Sequence, residues 1–140
     1  MGFRAYELLE HPADIGFRAF AETLPGLYAA SALAMLSIGY DPAAAEPRHE
    51  YPLAVESGDR EALMVDWLNE VLYCFDGRRI AFREFRVVSF RDHAIAAVGL
   101  GEPRDPERHR ANLIVKAVTW HQLKIEQRDG IWTAEVYLDI

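Results

Sequence analysis

The sequence predicts an α+β fold in which two main helices pack on a largely antiparallel sheet of about seven strands. Apolar residues recur at helical spacing in two stretches, residues 24–38 and 60–76. Elsewhere they alternate over short stretches, most of which are joined by connections short enough for hairpins. A chain of 140 residues, 51% of them hydrophobic, is predicted to form a single domain over residues 1–140 with a substantial core.

The first half of the chain is predicted to hold three strands and one helix. In order, two strands, the helix, a Pro/Ala-rich loop and a third strand occupy residues 3–11, 14–22, 24–38, 41–50 and 51–57. A His-Pro bend separates the first two strands. Thr23 is the expected N-cap of the helix, with Pro25 in its first turn. Alanine and leucine fill most of the remaining helix surface, so we expect this helix to be buried on most sides.

The second half begins with the clearest amphipathic helix, residues 60–76. Its apolar arc consists of Leu63, Met64, Trp67, Leu68, Val71, Cys74 and Phe75. The opposite arc carries Asp66, Asn69, Glu70 and Tyr73. Four strands follow, at residues 80–90, 93–101, 115–127 and 132–139, the last two joined by an Asp-Gly turn. Residues 102–112 are predicted to form a charged loop, with the run 108–110 in solvent.

Composition restricts the class of function. The net charge of −7, from 22 acidic and 15 basic residues, argues against direct stable binding of nucleic acid. A protein partner, a cation or a small molecule is the better expectation. No apolar run approaches the ~20 residues that span a bilayer, and no membrane association is expected. The single cysteine, Cys74, excludes an internal disulfide and fits the reducing cytoplasm.

Acidic groups near both ends of the sequence form a candidate metal site. His11 and Asp14 flank the bend before the second strand, where an Asx-type turn with a surface histidine is the simpler alternative. Asp139 adjoins the carboxylate of Ile140, and two such anions repel unless water or a cation lies between them. From position alone a frayed, solvated end is the favoured explanation, but the strand pattern continues to the last residue, which predicts an end tied into the sheet. Together these oxygen donors would suit Ca²⁺ or Mg²⁺.

Other polar residues are weaker candidates. Lys116 either lies on the solvent face of its strand, together with His121, or orients a phosphate or pairs with a carboxylate of a partner. Asp66 and Glu70, four residues apart on one helix face, are typical of a solvated surface and less often a catalytic pair. Cys74 is expected to be a small buried residue. No nucleophile stands beside an obvious base, so no catalytic residue is predicted.

Four motifs in order resemble the archease family. They are the HxAD-G segment at 11–16, the WLNE-LY helix at 67–73, the VKAVTWH strand at 115–121 and the closing Asp-Ile. The resemblance covers essentially the whole chain. The sequence departs from the family pattern at Pro12, where the family often has threonine, and at Gly26, which replaces the acidic residue usual at the start of the first helix.

The resemblance implies a cytoplasmic accessory protein, not itself an enzyme, of the tRNA-splicing RNA ligase RtcB. Such a protein promotes guanylylation of the ligase's active-site histidine, supports multiple turnover and broadens nucleotide use. The resemblance also implies that Asp14, Asp139 and Ile140 bind a divalent metal ion of the Ca or Mg type. It makes Lys116 the residue that activates the partner, and it gives His11 a neighbouring, orienting role.

Two other functions stay open from the sequence. One is a chaperone or specificity modulator of tRNA-modifying methyltransferases, which needs no metal at the chain ends. The other is a metal-dependent hydrolase that uses Asp14 and Asp139 as ligands, with His11 or the Asp66/Glu70 pair as its base.

Overall fold

The computed structural model describes residues 5–10, 15–110 and 113–140. Within these ranges the strands are β1 (Tyr6–Glu10), β2 (Ile15–Ala21), β3 (His49–Glu56), β4 (Ile80–Arg91), β5 (Ala94–Pro103), β6 (Ala117–Val118), β7 (Lys124–Arg128) and β8 (Ile131–Asp139). The helices are α1 (Leu24–Gly39) and α2 (Arg60–Asp76), and a short 3-10 helix spans Pro42–Ala44. Both long helices agree with the sequence prediction to within one residue.

The described strands form two antiparallel sheets. One has the order β1-β2-β8-β6, with β7 also paired to β8, and the other has the order β3-β5-β4. An Arg18 side chain in β2 bonds Glu7 of β1 and Glu135 of β8, which ties three neighbouring strands together across one face. The α+β class with two helices on antiparallel strands is therefore confirmed, and the division into two sheets is the feature that the sequence did not indicate.

The strand predicted at residues 115–127 is interrupted, which makes eight described strands instead of seven. Both of its parts pair with β8, since Val118 lies opposite Leu138 and Lys124 lies opposite Glu135. The six residue steps from Val118 to Lys124 therefore span the same length of sheet as the three residue steps of β8 from Leu138 to Glu135. The extra residues bulge from the sheet edge. Gln122 in this bulge adopts a left-handed backbone with φ 53°. Such a bulge leaves no trace in the alternation of residue types.

Helix α1 begins where its sequence predicts. The hydroxyl of Thr23 accepts a hydrogen bond from the Gly26 amide at 3.0 Å, which satisfies one of the free N–H groups of the first turn. Apolar residues on several sides of the helix are buried, in keeping with its nearly uniform hydrophobicity. They include Leu27, Tyr28, Ala32, Ala34, Met35, Leu36 and Ile38. The helix packs on β2 of one sheet and on β4 of the other.

Helix α2 buries the whole predicted apolar arc, together with Val65 and Leu72. The indole of Trp67 is fully buried and donates to the carbonyl of Tyr28 at 2.8 Å. The Tyr28 hydroxyl donates in turn to the carbonyl of Arg60 at 2.6 Å, so buried polar groups join the two helices. Because α2 also packs on β3, β4 and β6, the core is continuous between the sheets. No helix in the described ranges is long and apolar enough to cross a membrane.

The loop predicted to be solvated contains a buried charged cluster, so this prediction is wrong in part. His109 is buried, and its Nε2 lies 3.0 Å from Oε2 of Glu102, which is also buried. Arg108 donates to both carboxylate oxygens of Glu102, and Glu102 further accepts from the amide of Glu46 at 2.9 Å. The cluster therefore fastens the loop before β3 to the end of β5.

Candidate functional site at the C-terminal rim

Pairing of β2 with β8 brings the early and late parts of the chain side by side. Ile15, which directly follows Asp14 in the sequence, lies opposite Leu138, which directly precedes Asp139. The predicted ligand Asp14 and the predicted orienting residue His11 lie outside the described residues. The structure thus brings together the chain neighbours of two predicted metal ligands.

Three of the predicted site residues lie together at one end of the sheet. We call this end the C-terminal rim and define it by Lys116, Asp139 and Ile140. The amide of Lys116 donates to the carbonyl of Asp139 at 2.8 Å, and the next residue, Ala117, pairs with Asp139 in the sheet. All three rim residues are exposed, with Ile140 at 40%. The rim is therefore accessible to an ion or a partner while its backbone is held by the sheet.

Strand β8 holds the rim because it stays buried up to its last residues. Val136, Tyr137 and Leu138 are all buried, whereas Asp139 is exposed. The strand therefore continues to Asp139 instead of fraying, as the alternation in the sequence indicated. A carboxylate at this position can leave the sheet without disturbing the core.

Lys116 also faces helix α2. It lines an open groove, here called the α2 groove, with Asn69, Leu72, Tyr73, Asp76 and Gly77. Tyr73 is 59% exposed, and its ring lies so close to Gly77 that a Cβ there would approach the ring within 2.7 Å. An exposed ammonium beside an exposed aromatic ring offers both charge and apolar area to a bound group.

The predicted metal ligands at the rim are oxygen donors. No group of three or more His, Cys, Asp or Glu side chains that could hold a metal ion occurs within the described ranges. The predicted ligands could not appear as such a group. Asp14 lies outside the described residues, and the carboxylate of Ile140 belongs to the backbone, which leaves Asp139 as the one predicted acidic side chain described. Oxygen ligands of this kind suit Ca²⁺ or Mg²⁺ and would leave further positions for water.

The other candidates occupy local roles. Asp66 accepts a hydrogen bond from the Ser57 hydroxyl at 2.7 Å, whereas Glu70 lies 3.9 Å from the sulfur of Cys74. The two carboxylates thus engage different partners. Cys74 is fully buried as predicted, and burial raises the pKa of its thiol, which disfavours a reactive thiolate. His121 is exposed and lies edge-on to the Tyr137 ring.

Two polar contacts were not anticipated from the sequence. Asn69 was placed only on the polar arc of α2, yet its Oδ1 accepts from the amide of Val118 at 3.3 Å. Glu102 and His109 stood in a charged stretch typical of solvated loops. The first contact joins residues 49 positions apart, and the second pair is buried by its packing against the loop before β3, so local residue patterns predict neither.

These features define an α+β protein whose candidate site is an exposed rim at the end of its last strand. The chain belongs to the Archease protein family, whose sequence profile matches residues 6–140. This confirms the resemblance seen in the four motifs.

Curated relatives support the assignment over nearly the whole length. The chain is 38% identical to the archease of Methanosarcina mazei over 141 residues, which cover 98% of this chain and 97% of that protein. It is 36% identical to the archease of Pyrococcus furiosus over 141 residues, with coverage of 98% and 99%.

Solved structures agree. The solution structure of protein 1598 of Methanobacterium thermoautotrophicum matches with a TM-score of 0.82 at 30% identity and covers 97% of this chain and 99% of that one. An archease of Thermotoga maritima, described as a possible chaperone, matches with a TM-score of 0.64 at 18% identity and covers 94% of both chains. The second likeness concerns the fold alone.

Proposed function

We propose that this protein activates a tRNA-splicing RNA ligase of the RtcB type in the cytoplasm. In this proposal it promotes guanylylation of the ligase and supports multiple turnover, and it broadens the nucleotides that the ligase accepts. The protein acts as an accessory factor and does not join RNA ends itself. Family membership makes this the leading function, and the geometry of the C-terminal rim supports it.

The observation that carries the proposal is the antiparallel pairing of Ile15 with Leu138. Each of these residues is the chain neighbour of a proposed ligand, Asp14 or Asp139. The two aspartates and the carboxylate of Ile140 then bind one divalent cation, with His11 beside them in an orienting role. A bound cation offsets the repulsion among these anions and supplies positive charge for a phosphate or carboxylate of the partner.

Lys116 completes the proposed site. Its backbone is joined to that of Asp139, and its ammonium is exposed in the α2 groove. A lysine carried by the same strand edge as the anionic ligands reaches a bound partner together with them. Its charge can orient a phosphate or pair with a carboxylate of the ligase during nucleotidyl transfer.

A multiple-turnover ligation assay with the cognate ligase, GTP and a divalent metal tests the proposal. We expect the wild-type protein to increase turnover, Asp139→Asn to abolish the increase, and Lys116→Ala to reduce it to a small, measurable remainder. Lys124→Ala and Asp129→Asn are matched controls, because both residues are exposed on the last hairpin away from the rim. Full stimulation by both rim variants would refute the proposal.

The same protein variants distinguish the proposed function from the two alternatives, a methyltransferase chaperone and a metal-dependent hydrolase. A methyltransferase chaperone would bind its enzyme without needing the rim, so the rim variants would keep their effect on that partner. A hydrolase would turn over an ester or phosphoester by itself, in a metal-dependent manner lost in Asp14→Ala. Residues added after Ile140 weaken only the proposed activity, because they convert a carboxylate into a peptide carbonyl.

A further inference from the structure

We propose that Asn69 of helix α2 is a positioning residue for Lys116. It acts by holding the 113–118 segment, which runs from the end of the charged loop to β6. The inference rests on the proposed function in so far as Lys116 is the residue that acts on the partner. Nothing in the family motifs assigns this role to Asn69.

The amide of Val118 needs a partner outside its own sheet. Among the described strands β6 pairs only with β8, and the neighbouring amide of Thr119 donates to the Tyr137 carbonyl at 3.1 Å. The N–H of Val118 is directed instead towards helix α2, away from β8. Val118 is only 6% exposed, and its amide would be costly to leave unpaired. Oδ1 of Asn69 accepts it at 3.3 Å.

Contacts on both sides of Lys116 fix the remainder of the segment. Val115 is 6% exposed and lies with Leu36, Leu72 and Phe75 in an apolar cleft between the ends of the two helices. The Lys116 amide is bonded to the Asp139 carbonyl. Of these contacts, the hydrogen bond to Asn69 is made by a polar side chain. A substitution at Asn69 can therefore remove it while the apolar packing and the strand pairing remain.

The position of Asn69 also links the segment to the site. Asn69 and Lys116 line the same α2 groove, so the side chain that accepts from Val118 stands beside the lysine that it positions. Helix α2 is anchored in the core by Trp67 and Leu68, both fully buried. Through its hydrogen bond to Val118, Asn69 therefore fixes the position of the Lys116 backbone relative to the rigid core. Because Lys116 is bonded to Asp139, the position of Asp139 is fixed as well.

Two substitutions at Asn69 isolate the contact. Asn69→Ala removes the acceptor, whereas Asn69→Asp keeps an oxygen at the same branch of the side chain. We expect Asn69→Ala to speed hydrogen exchange of the Val118 and Lys116 amides by ~tenfold, the loss of one hydrogen bond worth about 1.4 kcal/mol. Asn69→Asp should leave both rates near those of the wild type, as should Glu61→Ala in the first turn of the same helix.

A double-mutant cycle in the ligation assay tests whether Asn69 affects activation of the ligase through Lys116. Asn69→Ala should lower stimulation by ~tenfold in the wild-type background and have no further effect when Lys116 is already alanine, because coupled sites are not additive. Equal losses in both backgrounds would overturn the inference, since Asn69 would then act independently of Lys116.

Failure of the inference and failure of the proposed function give different results. If the wild-type protein stimulates no ligase, the proposed function fails, and the exchange rates still decide whether Asn69 holds the Lys116 segment. Unchanged exchange at Val118 and Lys116 in Asn69→Ala overturns the inference whatever the ligase does. Faster exchange in Asn69→Ala with recovery in Asn69→Asp supports it.

Discussion

At the scale of single residues, Glu102 shows how the fold makes a charged side chain part of the core. Arg108 bonds both oxygens of this buried carboxylate, and His109 and the Glu46 amide occupy its remaining acceptor sites. The His109 Nδ1 accepts from the Asp105 amide at 2.8 Å, so its Nε2 carries the proton that is donated to Glu102. The cluster is therefore satisfied throughout, as a buried polar network must be to stabilise a fold.

The ion pair gives stability a defined pH dependence. Hydrogen bonds from Arg108, with smaller contributions from the Glu46 amide and His109, lower the pKa of Glu102 from 4.5 to about 2, against the opposing effect of burial. A folded-state pKa below the unfolded value stabilises the protein above pH 4.5, and this stability is lost as the pH falls from about 4.5 to 2. Denaturant unfolding of the wild type and Glu102→Gln measures it.

We expect Glu102→Gln to be the less stable protein at pH 7, and the difference should shrink as the pH falls below 4.5. Glu84→Gln is a suitable control, because Glu84 is exposed on β4. A difference between wild type and Glu102→Gln that stays constant from pH 7 to pH 3 would contradict this assignment.

At the scale of elements, local hydrogen bonds and close backbone approach decide where helices begin and strands pair. The first turn of α1 depends on Thr23, whose hydroxyl bonds the Gly26 amide. In the sheet, Gly16 of β2 lies opposite Tyr137 of β8, where a Cβ would come within 2.7 Å of both the tyrosine ring and the Val136 carbonyl. Glycine therefore permits the aromatic ring to cover β2 next to the rim.

Removal of the helix cap should be a measurable but modest loss. Thr23→Ala is expected to lower the free energy of unfolding by about 1 kcal/mol, because an amide of the first turn loses its acceptor. Thr23→Ser keeps the hydroxyl and should stay close to the wild type in the same thermal or denaturant unfolding experiment. Equal stability of the alanine and serine variants would show that the cap contributes nothing.

A methyl group at Gly16 should disturb the pairing that brings the chain ends together. Gly16→Ala is expected to destabilise the protein by about 1–3 kcal/mol, because the Val136 carbonyl is backbone and cannot move aside without shifting β8. Gly58→Ala is the matched control, since nothing lies within 4 Å of a Cβ at that position. Amide exchange on β8 reports the shift, and unaltered exchange together with wild-type stability would contradict it.

These elements also show how much of the fold and of the candidate site could be predicted from the sequence. Both helices and the Thr23 cap could be predicted because periodicity and capping are local properties of the chain. The bulge after Val118 and the burial of the Glu102–His109 pair could not, since the bulge depends on pairing with β8 and the burial depends on packing against the loop that contains Glu46. Of the site, the rim positions of Lys116 and Asp139 followed from motifs and strand order, whereas the Asn69 contact appeared only once α2 was packed against β6.

At the scale of the whole molecule, the order of strands explains how an early and a late part of the chain become neighbours. β2 and β8 are separated by most of the sequence yet are neighbours in one sheet, and the helices pack between the two sheets behind them. The rim is thus held by the entire fold, with its acids and Lys116 at the exposed end. In the proposed function, this arrangement presents a cation and a lysine to a partner.

Calorimetric titration of the metal-free protein with Ca²⁺, and separately with Mg²⁺, tests the central claim that both chain ends bind one cation. We predict one site per chain in the wild type and in Asp129→Asn, whose substituted residue lies in the turn before β8. Asp14→Asn and Asp139→Asn should each weaken binding by at least ~tenfold, because each removes a charged oxygen ligand. Wild-type affinity in either of these two variants would contradict the claim.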